Sequence, residues 1–207
     1  MIGYLRRFHS AAEVRASKAG FAAGFTIIEV LMVLAIMSIT MGTIYKSFAQ
    51  LNRSYTTENV KAGIQQGARI AVEFMVQDIR MAGLDPLRTA NAGFSAALAA
   101  QLPTTNWIEF TTDANFDGDV DSTDEFENIK YELVGNELRQ TNHLGTEVML
   151  DNVTNLTFTY LNAEDLTTTN INEVRSVIVS LTMEKPAGRA GTISRTYTTT
   201  TVRCRNL

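Results

Sequence analysis

The 21 residues from Phe25 to Tyr45 are an almost unbroken apolar run that holds one charged side chain, Glu29. At about 1.5 Å of rise per residue, roughly 20 helical residues cross the hydrocarbon core of a bilayer. The run therefore predicts a membrane-spanning helix. An ionised side chain inside a span costs about 2.5–3.5 kcal/mol on insertion scales, so Glu29 calls for a partner of opposite charge. An ordinary signal peptide fits poorly, because its apolar core is usually ~7–15 residues and ends at a small-residue cleavage site. Here the small residues, Ala22-Ala23-Gly24, come before the run. A plain membrane anchor would leave Glu29 without a use.

Charge is unevenly spread. The first 24 residues carry Arg6, Arg7, Arg15 and Lys18 against Glu13 alone, so the net charge of −4 divides into +3 there and −7 in the remainder. A basic head before an apolar segment is the pattern of a cytoplasmic start with the rest exported. An acidic remainder argues against nucleic-acid binding, which needs a basic patch. Cys204 is the single cysteine, which excludes an intramolecular disulfide and a four-cysteine zinc site. A lone cysteine near a C-terminal strand reads as a small packed residue.

Gly24-Phe25-Thr26-Ile27-Ile28-Glu29 at the head of an apolar helix resembles the processing site of type IV prepilins and type II secretion pseudopilins. The resemblance implies a membrane-embedded prepilin peptidase that cuts after Gly24 and methylates the new amino terminus of Phe25, with Glu29 as fifth residue of the mature chain. It further implies an inner-membrane anchor, a head in the periplasm, and later incorporation into a filament through the N-terminal helices of other minor and major pilins. Cleavage would create an ammonium four residues before Glu29, and opposite charges attract strongly in a low-dielectric medium. Such a pair can fix register between subunits.

Beyond Tyr45 the helical pattern continues. Phe48, Leu51 and Tyr55 fall at helical spacing, and Ile64, Ala68, Ala71, Met75, Ile79 and Ala82 form one apolar face. Gly63 and Gly67 are weak points of about 1 kcal/mol each against Ala, and Gly83 followed by Pro86 is a stop signal. One helix from about Phe25 to Ala82 is expected, apolar all round at first and amphipathic afterwards, so that its second part seats a globular head.

In the head, alternation marks strands: Ile108 and Phe110; Ile129, Tyr131 and Leu133, followed by a Gly135-Asn136 hairpin turn; Leu156, Phe158 and Tyr160; Val177 to Met183, ended by Pro186; and a Thr-rich closing strand from Ile193 to Thr201. Phe94, Ala97, Leu98 and Gln101 hint at a short helix. The expected fold is α+β and pilin-like: a long N-terminal helix packed on a mostly antiparallel sheet. Its segments are a removable leader (1–24), a membrane or filament-core helix (25–45), an amphipathic continuation (46–84) and a β-rich head (85–207). Arg80-Met81-Ala82-Gly83-Leu84 and Val174 to Leu181 resemble stretches of PilW-type minor pilins and J-type pseudopilins, which implies a minor, tip-associated subunit.

Asp113-Ala114-Asn115-Phe116-Asp117-Gly118-Asp119-Val120-Asp121-Ser122-Thr123-Asp124 fits the calcium-loop pattern D-x-[DN]-x-[DN]-G with an acid at position 12. Asp113, Asn115 and Asp117 offer oxygens at alternate positions, Gly118 permits the turn, Asp119 offers its carbonyl, Asp121 acts through water and Asp124 closes the sphere. An Asp in that last place resembles dockerin-type loops, and Glu125 beside it stays open as the closing ligand. Strand-like flanks place this Ca2+ loop between strands. The bland alternative is a solvated acidic turn. Neither His9 nor His143 has a catalytic partner at recognisable spacing, and no nucleophile elbow, phosphate loop or zinc motif is present. The chain reads as the substrate of a processing enzyme and not as an enzyme. A J-type pseudopilin and a non-polymerising, membrane-anchored calcium-dependent adhesin are the alternatives to a minor pilin.

Overall fold

The computed structural model describes residues 24–121, 126–188, 191–199 and 201–207. The leader before Gly24, and Asp124 with Glu125, lie outside the described residues. The chain divides into two units, one ending at Phe48 and one running from Ala49 to Leu207.

Helix α1 spans Ile27–Met81, two residues short of the expected start and one short of the expected end. Within the first unit every described side chain from Phe25 to Phe48 is exposed, and the helix is long and apolar enough to cross a membrane. In the second unit the amphipathic pattern is realised. Ile64, Ala68, Ala71, Val72, Met75 and Ile79 are buried, and Ala82 just past the helix is buried with them. Gly63 and Gly67 do not interrupt the helix. Packing of the apolar face outweighs a propensity loss of about 1 kcal/mol at each.

The strands are β1 (Thr104–Thr105), β2 (Trp107–Thr111), β3 (Asn128–Val134), β4 (Glu137–Asn142), β5 (Gly145–Asp151), β6 (Val153–Leu161), β7 (Ser176–Pro186), β8 (Thr192–Thr198) and β9 (Val202–Arg203). They form two antiparallel sheets, where the sequence led us to expect one. The first runs β2-β3-β4-β5; the second runs β1-β6-β7-β8, with β9 also paired to β7. The alternating residues face a common core: Ile108, Phe110, Ile129, Tyr131, Leu156, Phe158, Tyr160, Val177, Val179 and Leu181 are all buried with the helix stripe. Gly135 and Asn136 make the expected two-residue turn, with Val134 paired to Glu137. The expected closing strand is split: β8 pairs with one end of β7 and β9 with the other. The hint of a short helix is met by a 3-10 turn at Ala96–Ala100.

The end of α1 is built tightly. Gly83 takes a left-handed φ of 76°, and its N–H donates to the Thr111 carbonyl at 3.0 Å. A side chain there would meet the Cδ2 of Leu207 at 2.4 Å. Arg80 and Gly83 thus sit where the helix, strand β2 and the C-terminal tail converge, with the Arg80 carbonyl accepting from the Arg205 N–H. Cys204 is buried, as its position led us to expect, and burial pushes its thiol up to about 12.

Candidate functional site

Two places carry the candidate chemistry, one in each unit. The first is the start of α1. Gly24, Phe25 and Thr26 precede the helix. Thr26 caps it: the Glu29 N–H donates to the Thr26 carbonyl at 3.1 Å and to its Oγ1 at 3.3 Å. Thr26 and Glu29 therefore stand at the two ends of a capping-box spacing, S/T-x-x-E. The sequence carries that signal, but it is easily overlooked beside the apolar run. Glu29 lies in the first turn, where the positive end of the helix dipole stabilises a carboxylate. An amino group freed at Phe25 would meet the same positive end. Glu29 offsets both. Phe25 itself is exposed.

The second place is the acidic loop that joins β2 to β3. Their register pairs Thr111 with Asn128, and the Thr112 N–H donates to the Glu127 carbonyl at 2.9 Å. That rung brings the two ends of the loop together. The Asp113 N–H donates to the Leu84 carbonyl at 2.7 Å, which ties the loop to the segment after α1. Thr89 strengthens the tie by donating to the Gly118 carbonyl at 2.6 Å, and Asp85 orders that segment by accepting from the Thr89 and Asn91 N–H groups. Gly118 is required here, with φ at 90° and the Thr89 hydroxyl 2.6 Å from where a Cβ would stand.

Inside the loop, Asp117 accepts from the Asp119 N–H at 3.1 Å and Asn115 accepts from the Asp117 N–H at 2.9 Å. Asp113 Oδ2 accepts from the Gly118 N–H at 3.2 Å, and Glu127 Oε2 from the Asp121 N–H at 3.1 Å. Asp113 and Glu127 are both fully buried, and their other oxygens, Oδ1 and Oε1, have no hydrogen-bond partner among the described residues. Carboxylate oxygens of Asp113, Asp117 and Glu127 lie within 4.8 Å of one another. Of the six expected ligands, Asp113 and Asp117 belong to this group. Asn115, an amide, sits within the same turn, while Asp119 and Asp121 stand outside the group and Asp124 outside the described residues. Glu127 is the residue that the sequence reading missed. The loop template counts along the chain, whereas the β2–β3 register brings Glu127 beside Asp113. The concentrated negative charge is felt by Asp119, whose carboxyl is pushed above its ordinary range chiefly by Asp117.

His143 is half-buried. Its Nδ1 accepts from the Phe126 N–H at 3.3 Å, and its ring stands edge-on to that of Phe126.

Comparison with known families matches both ends of this description. A family model for the prokaryotic N-terminal methylation motif matches residues 20–45, which include Gly24, Phe25 and Glu29. A model described as prepilin peptidase-dependent protein B matches residues 59–203. No curated protein matches the chain. The second match takes in the packed part of α1 and nearly the whole head, so that, with the methylation motif before it, the chain belongs to the prepilin peptidase-dependent protein B family and is a prepilin-like, single-pass membrane-anchored protein.

Proposed function

We propose that this chain is a minor type IV pilin of the PilW type. A prepilin peptidase cuts it between Gly24 and Phe25 and methylates Phe25. The apolar helix holds it in the inner membrane with the head in the periplasm, until the subunit enters a pilus at or near its tip and helps to prime or support assembly. It is a peptidase substrate and a building block, with no reaction of its own. Its partners are the peptidase, membrane lipid, and the N-terminal helices of other minor and major pilins.

The observation that carries this reading is the capped start of α1. A single carboxylate, Glu29, sits in the first turn of an exposed apolar helix directly after Gly24-Phe25-Thr26. An apolar helical stretch with no packed partner among the described residues, as from Phe25 to Phe48, needs lipid or other helices around it. A charge placed at its start needs an ammonium.

The test has two parts. Mass spectrometry of the mature chain is expected to find N-methyl-Phe25 at the amino terminus; an intact leader in a working protein would leave the non-polymerising adhesin instead. Deletion of the gene is expected to abolish or reduce pili. Loss of protein secretion with pili intact would assign the chain to the J-type pseudopilins of a type II secretion system.

A further inference from the structure

We propose that Asp113, Asp117 and Glu127 form a calcium site that closes the two ends of the β2–β3 loop on each other, next to the hydrogen bond that ties Asp113 to the segment after α1. The two buried carboxylates are each only half satisfied. Each gives one oxygen to a loop N–H, Asp113 to Gly118 and Glu127 to Asp121. Each keeps a second oxygen, wholly buried, with no partner among the described residues. The neighbouring Thr112 Oγ1 is also buried without one. Buried polar atoms are nearly always satisfied, and no Lys or Arg forms an ion pair with either carboxylate among the described residues. A cation satisfies both oxygens together.

The chemistry favours calcium. Three carboxylates supply hard oxygen ligands within 4.8 Å of one another, a spread that oxygens at about 2.3–2.6 Å from a calcium ion can adopt. Calcium accepts six to eight such oxygens in flexible geometry, whereas magnesium is smaller, prefers near-ideal octahedra and keeps several waters. The ligands come from both ends and the turn of one loop: Asp113, hydrogen-bonded through its N–H to Leu84, stands two residues after β2, Glu127 one residue before β3, and Asp117 in the turn between them. Occupancy therefore pins the loop's two ends and its turn together. The site stands independently of the pilus reading, since a calcium-dependent head serves a pilin, a pseudopilin or an adhesin alike.

The experiment uses the full-length chain in detergent, stripped with a chelator and then titrated with calcium or magnesium chloride. Extracellular calcium modules commonly bind at ~10⁻⁴–10⁻³ M, so ~10 mM calcium is expected to raise the Tm by about 3–10 °C through ligand linkage. Glu127→Gln and Asp117→Asn are each expected to weaken calcium affinity by about tenfold or more, and Glu184→Gln, exposed on β7 of the other sheet, to leave it within about twofold. Asp117 is exposed, so its variant reports even if the buried Glu127→Gln fails to fold. No rise with calcium, or a rise untouched by Glu127→Gln and Asp117→Asn, would overturn the site. An equal rise with magnesium would overturn the assignment to calcium.

Discussion

Asp78 sits on α1 with its carboxylate against a buried tyrosine: the Tyr131 hydroxyl donates to Asp78 Oδ2. Burial pushes the Asp78 carboxyl above the ordinary carboxylate range, and the bond from Tyr131 draws it only part of the way back. Burial and the Asp78 charge hold the Tyr131 hydroxyl well above the tyrosine range, so it stays a donor at physiological pH. A carboxyl raised on folding favours the fold while protonated. That contribution is present below about pH 3.9, the ordinary Asp value, and is lost as pH rises through the raised one. Asparagine keeps an acceptor for Tyr131 and removes the charge. Asp78→Asn is therefore expected to melt at or above the wild-type temperature at pH 7, with its advantage widening as pH rises from about 4 through the raised value and level above it. An advantage that shrinks over that range in thermal unfolding would count against this balance. At the same scale Thr26 caps the helix on which Glu29 depends, and its role follows from a spacing of three residues that the sequence displays.

At the scale of elements, a glycine inside α1 and one just past its end differ in sign. Gly63 is exposed within the helix, with no atom within 4 Å of an added Cβ. Gly63→Ala is expected to stabilise by about 0.5–1 kcal/mol, because alanine loses less backbone entropy on folding. Gly83 has φ at 76° and faces Leu207. Gly83→Ala is expected to destabilise by about 1–3 kcal/mol, the cost of holding a side chain in that region. At roughly 2–4 °C per kcal/mol for a chain of this size, the two variants should move Tm in opposite directions. The strands differ in how far their sequences announce them. β2 alternates throughout, β6 from Leu156 to Tyr160 and β7 from Val177 to Met183, because one face of each of these stretches is buried. β4 and β5 carry little alternation, with burial concentrated at Leu138 in β4 and no fully buried residue in β5. They exist because β3 offers an edge and β4 then offers another. Their sequences do not demand it.

For the whole molecule, the proposed pilin role turns on Glu29, as the partner of the amino group that cleavage would free. A charge-assisted hydrogen bond to an ammonium is worth about 1.5–3 kcal/mol. Glu29→Val is therefore expected to leave membrane insertion intact and to lower incorporation into filaments by about tenfold or more. The ratio of filament-bound to membrane-bound chain measures this, and a ratio equal to wild type would remove the pairing from the account. The sequence by itself determined the apolar helix and its lone carboxylate, the cleavage motif, the helical stripe from Ile64 to Ala82 and the principal strands. Each is a local pattern, a period or a spacing, that survives in one dimension. Only the tertiary structure decided that the head holds two sheets, that Gly83 locks the helix end against Leu207, and that Glu127 stands beside Asp113. Those depend on strand register and on backbone segments meeting across the fold. Pairing brings together residues that the chain keeps 14 positions apart, and no count along the sequence records which pairing wins.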